Sequence, residues 1–219
     1  MSNIYETKSN HVFSYLRKKI LNGSYKQGAS IVISRVAKEL GISAIPVREA
    51  LKRLESEGLI EIIPHKGARV TLFEKNKIND VLVIRAVLEG YAARTVSESI
   101  SEETLAKLNE MNKEMKIVAE EGKDEIFCEL NKDFHRLLYK NSSHLLLYKT
   151  IFDLWDEGNW SKSLFAFFPE KMKESVNEHL EILQALKNHD QDTVEKMTRE
   201  HKMKNIEFYN KISNMDYNE

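Results

Sequence analysis

Apolar residues fall into three regimes along the chain. Between Ser9 and Asn22, Val12, Tyr15, Leu16 and Ile20 recur at three- and four-residue spacing, which predicts an amphipathic helix ending near Gly23. After a loop over 24–30 containing Gly28, Val36, Ala37 and Leu40 mark a short helix stopped at Gly41. In SAIPVREALKRLESEGL (43–59), Val47, Ala50, Leu51 and Leu54 form the buried stripe of a third helix over 43–57. Ser43 is placed as its N-cap, with an oxygen able to accept from a free backbone N–H. Pro46 falls in the first turn, where its missing donor costs nothing, and Gly58 can close the helix in a left-handed conformation. The second regime follows at once. LIEII (59–63) and ARVTLF (68–73) are β-branched runs, and PHKG (64–67) between them has the residues of a tight turn, so a two-stranded hairpin is predicted.

The third regime runs from Ile78 to the end and contains no convincing strand. Amphipathic helical patterns cover roughly 78–99, 101–120, 123–140, 143–157, 159–166, 170–188 and 190–213. Pro169 is the only proline after residue 64, and Glu121-Gly122 and Asn141-Ser142 supply short connections. The expected fold is mainly α. An N-terminal winged helix-turn-helix domain over residues 1–75 precedes an all-α helical bundle over residues 76–219.

Charge separates the same two parts. Residues 1–75 hold 13 Lys+Arg against 7 Asp+Glu, whereas residues 76–219 hold 20 against 27, within a whole-chain net charge of −1. A basic first third on an acidic remainder points to a nucleic-acid module joined to a different kind of domain. Hydrophobic residues at 42% and charged ones at 31% fit a globular protein. No apolar run approaches the roughly 18 residues that span a bilayer, and MSNIYETKSNH has no apolar signal core. The lone Cys128 allows no internal disulfide and suits a reducing compartment. A cytoplasmic location without a membrane partner is the expectation.

The helix over 43–57 has the length, and the short side chains near its start, to enter a major groove with its N-terminal end towards the bases. Arg48 is then placed for a guanine edge or a phosphate, Lys52 and Arg53 for the backbone, and His65 and Lys66 for phosphates beside the wing. An ordinary surface helix beside a hairpin is the alternative. The stretch ISRVAKELGISAIPVREALKRLESEGLIEIIPHKGARV resembles the winged-helix domain of GntR-family bacterial transcription regulators. Ala37, Leu40, Gly41, Ser43, Pro46, Val47, Arg48, Glu49, Ala50, Leu51, Leu54, Glu57, Gly58 and Leu59 carry the match, and a glycine-bearing wing follows. The resemblance implies a double-stranded DNA operator as partner. It also implies a contact set of Ser43, Ile45, Pro46, Arg48, Lys52 and Arg53 with His65, Lys66 and Gly67 of the wing. The family usually has Arg after the serine where this chain has Ala44. Ile45 can offer an apolar contact to a thymine methyl group instead, so an operator unlike the commonest family site is expected.

Seven histidines are present, and His135, His179 and His201 lie on three different predicted helices, with Asn131 one turn before His135. Spacing alone favours hydrogen-bonded core histidines, the commoner case on amphipathic helices, over a converging ligand set. IRAVLEGYAA (84–93), NKDFHRLLY (131–139), EHLEILQAL (178–186) and KMTREH (196–201) resemble the FadR-type helical domain. That resemblance implies a divalent metal ion (Zn, Ni, Mn or Fe) held by Asn131, His135, His179 and His201. It further implies a small carboxylate effector anchored there and a homodimer that releases DNA on effector binding. Asn131 supplies a neutral amide where carboxylate binds metal more tightly. Arg85 matches an effector-facing Arg, or else forms a helix-surface pair with Glu89. Trp155, Trp160, Phe165, Phe167 and Phe168 read as core or dimer packing, and His11, His144 and His189 are left without a role. Two other readings compete: a hydrolase using the histidines, for which Glu178 is poorly aimed as general base, and a regulator whose pocket has lost its metal.

Overall fold

The computed structural model describes residues 7–64, 66–156 and 160–214, with the side chains of 160–162 outside that description. The chain divides into two compact units, one built on the chain up to Phe73 and one on Glu74–Glu157 and Leu164–Ile212. The first contains α1 (Lys8–Leu21), β1 (Ser30–Ile31), α2 (Ile33–Leu40), α3 (Ala44–Ser56), β2 (Ile60–Ile63) and β3 (Gly67–Val70). Thr7 caps α1 by accepting from Asn10 N–H, and its stripe of Val12, Leu16 and Ile20 packs on Val47, Ala50, Leu51 and Leu54 of α3. All seven are buried, and each large one contributes about 1.5–3 kcal/mol by leaving water.

The turn chemistry of α2 and α3 follows expectation, with one exception. Gly41 and Gly58 both take the left-handed conformation. At Gly58, the Leu59 N–H reaches Leu54 O and the Gly58 N–H reaches Glu55 O, a doubly bonded helix stop. Ser43 stands at the N-cap of α3 with extended backbone, but its hydroxyl makes no capping bond.

The wing differs from the two strands expected. Its sheet has three, in the order β1-β3-β2 and antiparallel throughout, because Ser30 and Ile31 pair with Arg69 and Ala68. A two-residue strand carries no periodicity, so the stretch around it reads as loop. β3 also stops at Val70, three residues short of the apolar run; beyond it Thr71 binds the backbone of Leu59 and Gly58 instead. Gly67 pairs opposite Ile63 at a φ of 104°, and a Cβ there would meet Ile31 O at 2.6 Å. Its glycine is therefore required by the close approach of β1.

From Lys75 to Asn214 the described chain is helical: α4 (Lys75–Ser97), α5 (Glu102–Glu120), α6 (Asp124–Lys140), α7 (Leu145–Trp155), α8 (Trp160–Phe167), α9 (Glu170–Lys187) and α10 (Gln191–Asn214). In the second unit α5 packs against α6 and α9, and α4 against α6 and α7. The core between them includes Leu108, Met115, Phe127, Phe134, Leu138, Ile182 and Leu186. Among the described residues no helix is long and apolar enough to cross a membrane.

Gly67→Ala should therefore cost the first unit about 1–3 kcal/mol, since it combines a disfavoured φ with a backbone collision. Gly23→Ala, at a φ of 76° in open space, should cost only about 1 kcal/mol. Urea denaturation of the two variants side by side measures the difference.

Candidate functional site

The apolar stripes of the helical unit are interrupted by polar and charged residues, and these interruptions meet. On α6 the buried positions are Phe127, Asn131, Phe134, His135, Leu138 and Tyr139, so Asn131 and His135 are turned inward by the helix period itself. His179 lies in the buried stripe of α9 between Val176 and Ile182. His201 and Lys202 are both buried on α10. The structure brings His135, His179 and His201 together with one ring nitrogen of each inside a 4.8 Å span.

Each imidazole is held from behind through Nδ1. Tyr139 Oη lies 3.1 Å from Nδ1 of His135 and itself donates to Glu89 Oε2, so it accepts from that nitrogen. Asn112 Oδ1 lies 3.3 Å from Nδ1 of His179, and its amide is oriented by donating to Val176 O. Glu178 Oε2 lies 2.5 Å from Nδ1 of His201. A proton on each Nδ1 leaves each Nε2 as the lone-pair nitrogen, the arrangement that outer-shell partners impose on metal-binding histidines. Among the described residues two buried acceptors, Asn131 Oδ1 and His179 Nε2, have no hydrogen-bond partner. Each such orphan costs about 1–3 kcal/mol, a cost that bonding to a cation would relieve. The donor set thus fits a divalent ion.

Burial, followed by the Lys202 ammonium, holds the pKa of His135 well below the imidazole range. Burial and the neighbouring His201 do the same to His179. For His201, burial and Lys202 outweigh the opposing pull of Glu178 and bring it down to about 4. All three rings are therefore neutral near pH 7, the state a metal requires.

A second cluster adjoins the first. Glu89 on α4 has no exposed surface. Arg85 Nε donates to its Oε1 at 2.8 Å, Trp155 Nε1 to the same oxygen at 3.0 Å, and Lys202 Nζ lies 3.1 Å from its Oε2. Burial alone would raise the Glu89 pKa, but Lys202 and Arg85 bring it down to about 2. Burial also pushes Lys202 down to about 8 against the pull of Glu89. Lys202 Nζ further contacts His135 Nε2 at 3.1 Å. The sequence-predicted Arg85 is thus buried against Glu89, with its guanidinium 4.1 Å over the Trp155 ring.

Several of these residues escaped the sequence reading. Trp155 is buried, yet it belongs to this polar cluster through its indole N–H as well as to the packing. Phe165 packs edge-on to Phe127 and Phe168 to Phe208, as core residues do, while the side chain of Trp160 lies outside the described residues. Glu89, Lys202 and the fully buried Lys171, which binds Glu178, carried one legible signal: a charge in phase with an apolar stripe. His11, His144 and His189 are exposed.

In the first unit, Ser43, Ile45, Arg48, Lys52, Arg53 and Lys66 are exposed, Pro46 and Gly67 half-buried, and His65 lies outside the described residues. Ile45 is 68% exposed at the start of α3. Arg48 and Lys52 have no hydrogen bond or ion pair among the described residues, whereas Arg53 donates to Asn10 Oδ1 and stacks 3.9 Å over Phe13. Arg53 is therefore partly committed to holding α1. An open groove of about 580 Å³ runs between the first turns of α1 and α3, lined by Thr7, Lys8, Ser43, Pro46, Lys52 and Arg53 among others.

Comparison with known proteins agrees with both halves. Residues 8–70 match the family described as bacterial regulatory proteins, gntR family, and residues 80–203 match the FCD domain. The HTH-type transcriptional regulator McbR of Escherichia coli K12 is 29% identical over 179 residues, covering 81% of each chain. The HTH-type transcriptional repressor RspR of the same organism is 28% identical over 193 residues, covering 87% of this chain and 83% of its own. The solved structure of E. coli McbR/YncC superposes with a TM-score of 0.62 at 27% identity, covering 97% of this chain and 99% of that one.

The neutral state of His201 sets a pH dependence. Its pKa falls from the ordinary 6.5 to about 4 in the fold, so between those values the unfolded chain binds the proton and the folded one does not. This stability is fully present above pH 6.5 and is lost as pH falls towards 4. In metal-stripped protein the loss from His201 alone should be about 2 kcal/mol at pH 5, with His135 and His179 adding in the same direction. Urea denaturation at pH 7 and pH 5 reads it, and equal stability at both would contradict the neutral assignment.

Proposed function

The chain belongs to the gntR family of bacterial regulatory proteins and carries an FCD domain, and on that premise we propose that it is a homodimeric repressor released from its operator by a small carboxylate. Transcription regulation, and not catalysis, is what its family and relatives do. The α3 helices of two copies enter successive major-groove faces of a pseudo-palindromic site. Arg48 and Lys52, without a hydrogen bond or ion pair among the described residues, suit base edge and phosphate, and Ile45 can pack on a thymine methyl group. The groove between α1 and α3 is lined by the cations Lys8, Lys52 and Arg53 against the single carboxylate of Glu49, a balance that suits a phosphate. The repressing sign is supported by a relative described as a repressor.

The observation that carries the effector half is the convergence of three neutral, back-oriented imidazoles, with Asn131 buried one turn before His135 and its Oδ1 without a hydrogen-bond partner among the described residues. His135, His179, His201 and Asn131 would hold a divalent ion, which supplies Lewis acidity for anchoring a carboxylate. Arg85 and Lys202 against the single charge of Glu89 leave the surroundings net positive, which favours an anion without further help. An effector moves the DNA equilibrium only through its differential affinity for two states of the domain. The hydrolase reading lacks a base: Glu178 is held by His201, Lys171 and Lys204, with its pKa down to about 2.

Fluorescence anisotropy with labelled DNA from upstream of the gene tests the DNA half. Arg48→Ala should lose about 1–3 kcal/mol or its sequence preference, and Lys52→Ala should lower the salt slope by about one. Unchanged binding in both variants would remove α3 from the interface. For the effector half, metal content by atomic emission should be near one ion per chain after reconstitution. In His179→Ala it should fall to background, and an equal content there would refute the site.

A further inference from the structure

We propose that the Lys202 ammonium is a tethered cation competing with divalent metal for the three-histidine site, so that metal enters only by displacing it. The inference rests on the metal reading above and assigns a role to a residue outside the ligand set. Lys202 Nζ lies 3.1 Å from His135 Nε2 and 3.1 Å from Glu89 Oε2. Because Nδ1 of His135 is turned to Tyr139, the Nε2 lone pair is the one that ring can offer a metal. A lone pair accepting an N–H cannot bond a cation at the same time, so one occupant excludes the other.

Charge acts in the same direction. An ammonium held at hydrogen-bond distance from a ligand atom repels a dication strongly where water is excluded. Lys202 is 2% exposed, so its head cannot reach solvent as surface lysines do. Its position is also secured by contacts unrelated to metal: the carboxylate of Glu89, and the Trp155 ring with Nζ 4.8 Å from its centroid. His135 Nε2 is thus already paired with a cation, while His179 Nε2 and Asn131 Oδ1 have no hydrogen-bond partner among the described residues. Two consequences follow. The fold does not need metal, and the metal affinity is set well below what the ligands alone would give. Entry of metal also takes Lys202 from His135 and so alters the partners of Glu89 on α4.

The test is a Zn²⁺ titration of chelator-stripped full chain against a chromophoric competing chelator, wild type beside Lys202→Met and Lys202→Gln. Both variants should bind Zn²⁺ at least tenfold more tightly than wild type. On stripping, both should lose more melting temperature than wild type does. Loss of the cation can unfold the chain by stranding Glu89, which circular dichroism would reveal. The pair Lys202→Met with Glu89→Gln removes both charges and should give the same tenfold gain. Equal or weaker affinity in the folded variants overturns the tethered cation while leaving the metal site intact, provided His179→Ala abolishes binding. Absence of Zn²⁺ binding in every chain overturns both.

Discussion

A carboxylate without exposed surface, at Glu89, is the constraint around which the helical unit is arranged. Burying an ionised carboxylate is costly unless its oxygens are hydrogen-bonded and its charge is matched. Here the matching groups come from four helices: Arg85 from α4 itself, Tyr139 from α6, Trp155 from α7 and Lys202 from α10. Apolar residues of equal volume would hold these helices together at least as well. What the ionic cluster adds is register, because a slip of any one helix leaves a charge or a buried N–H without its partner.

The same constraint decides the chemistry of the histidines. Glu89 accepts from Tyr139, which obliges the phenol oxygen to accept from His135 Nδ1. Glu178 does for His201 what Asn112 does for His179. Three rings on three helices are thus given the same tautomer by three unrelated partners. Glu178 is in turn held by the buried Lys171 from its own helix. Ring orientation of this kind is a property of the surrounding shell, and that shell is where polar residues in the core are accounted for.

How far the sequence discloses this depends on which signal each part leaves. The long helices are plain from periodicity, and Gly41 and Gly58 mark stops that the left-handed turns then occupy. β1 is invisible because two residues cannot alternate, and its close approach is what requires glycine at position 67. Asn131, His135, His179 and His201 stand out by residue type. Lys202 adjoins His201 in KMTREHK, and a lysine in phase with Val194, Thr198 and Tyr209 is as anomalous as any histidine. Glu178 is the instructive case. The angle of about 100° that disqualifies it from facing the site beside His179 is the angle that aims it at His201 on the next helix.

Chain connectivity gives the cluster a route to the DNA-binding unit that needs no further contact. α4 begins at Lys75, two residues beyond Phe73, where the first unit's leading segment ends. It then runs without a proline or a break to Arg85 and Glu89, about 20 Å of helix. Whatever changes the partners of Glu89 therefore acts on the helix covalently joined to the wing. Arg199 from α10 crosses that helix so closely at Gly90 that a Cβ there would lie 2.5 Å from its side chain. With α10 contributing both Lys202 and this crossing, a shift of Lys202 and a shift of α4 are not independent. Two packed helices sharing a buried ion pair have few arrangements that satisfy it, and a regulator needs only two.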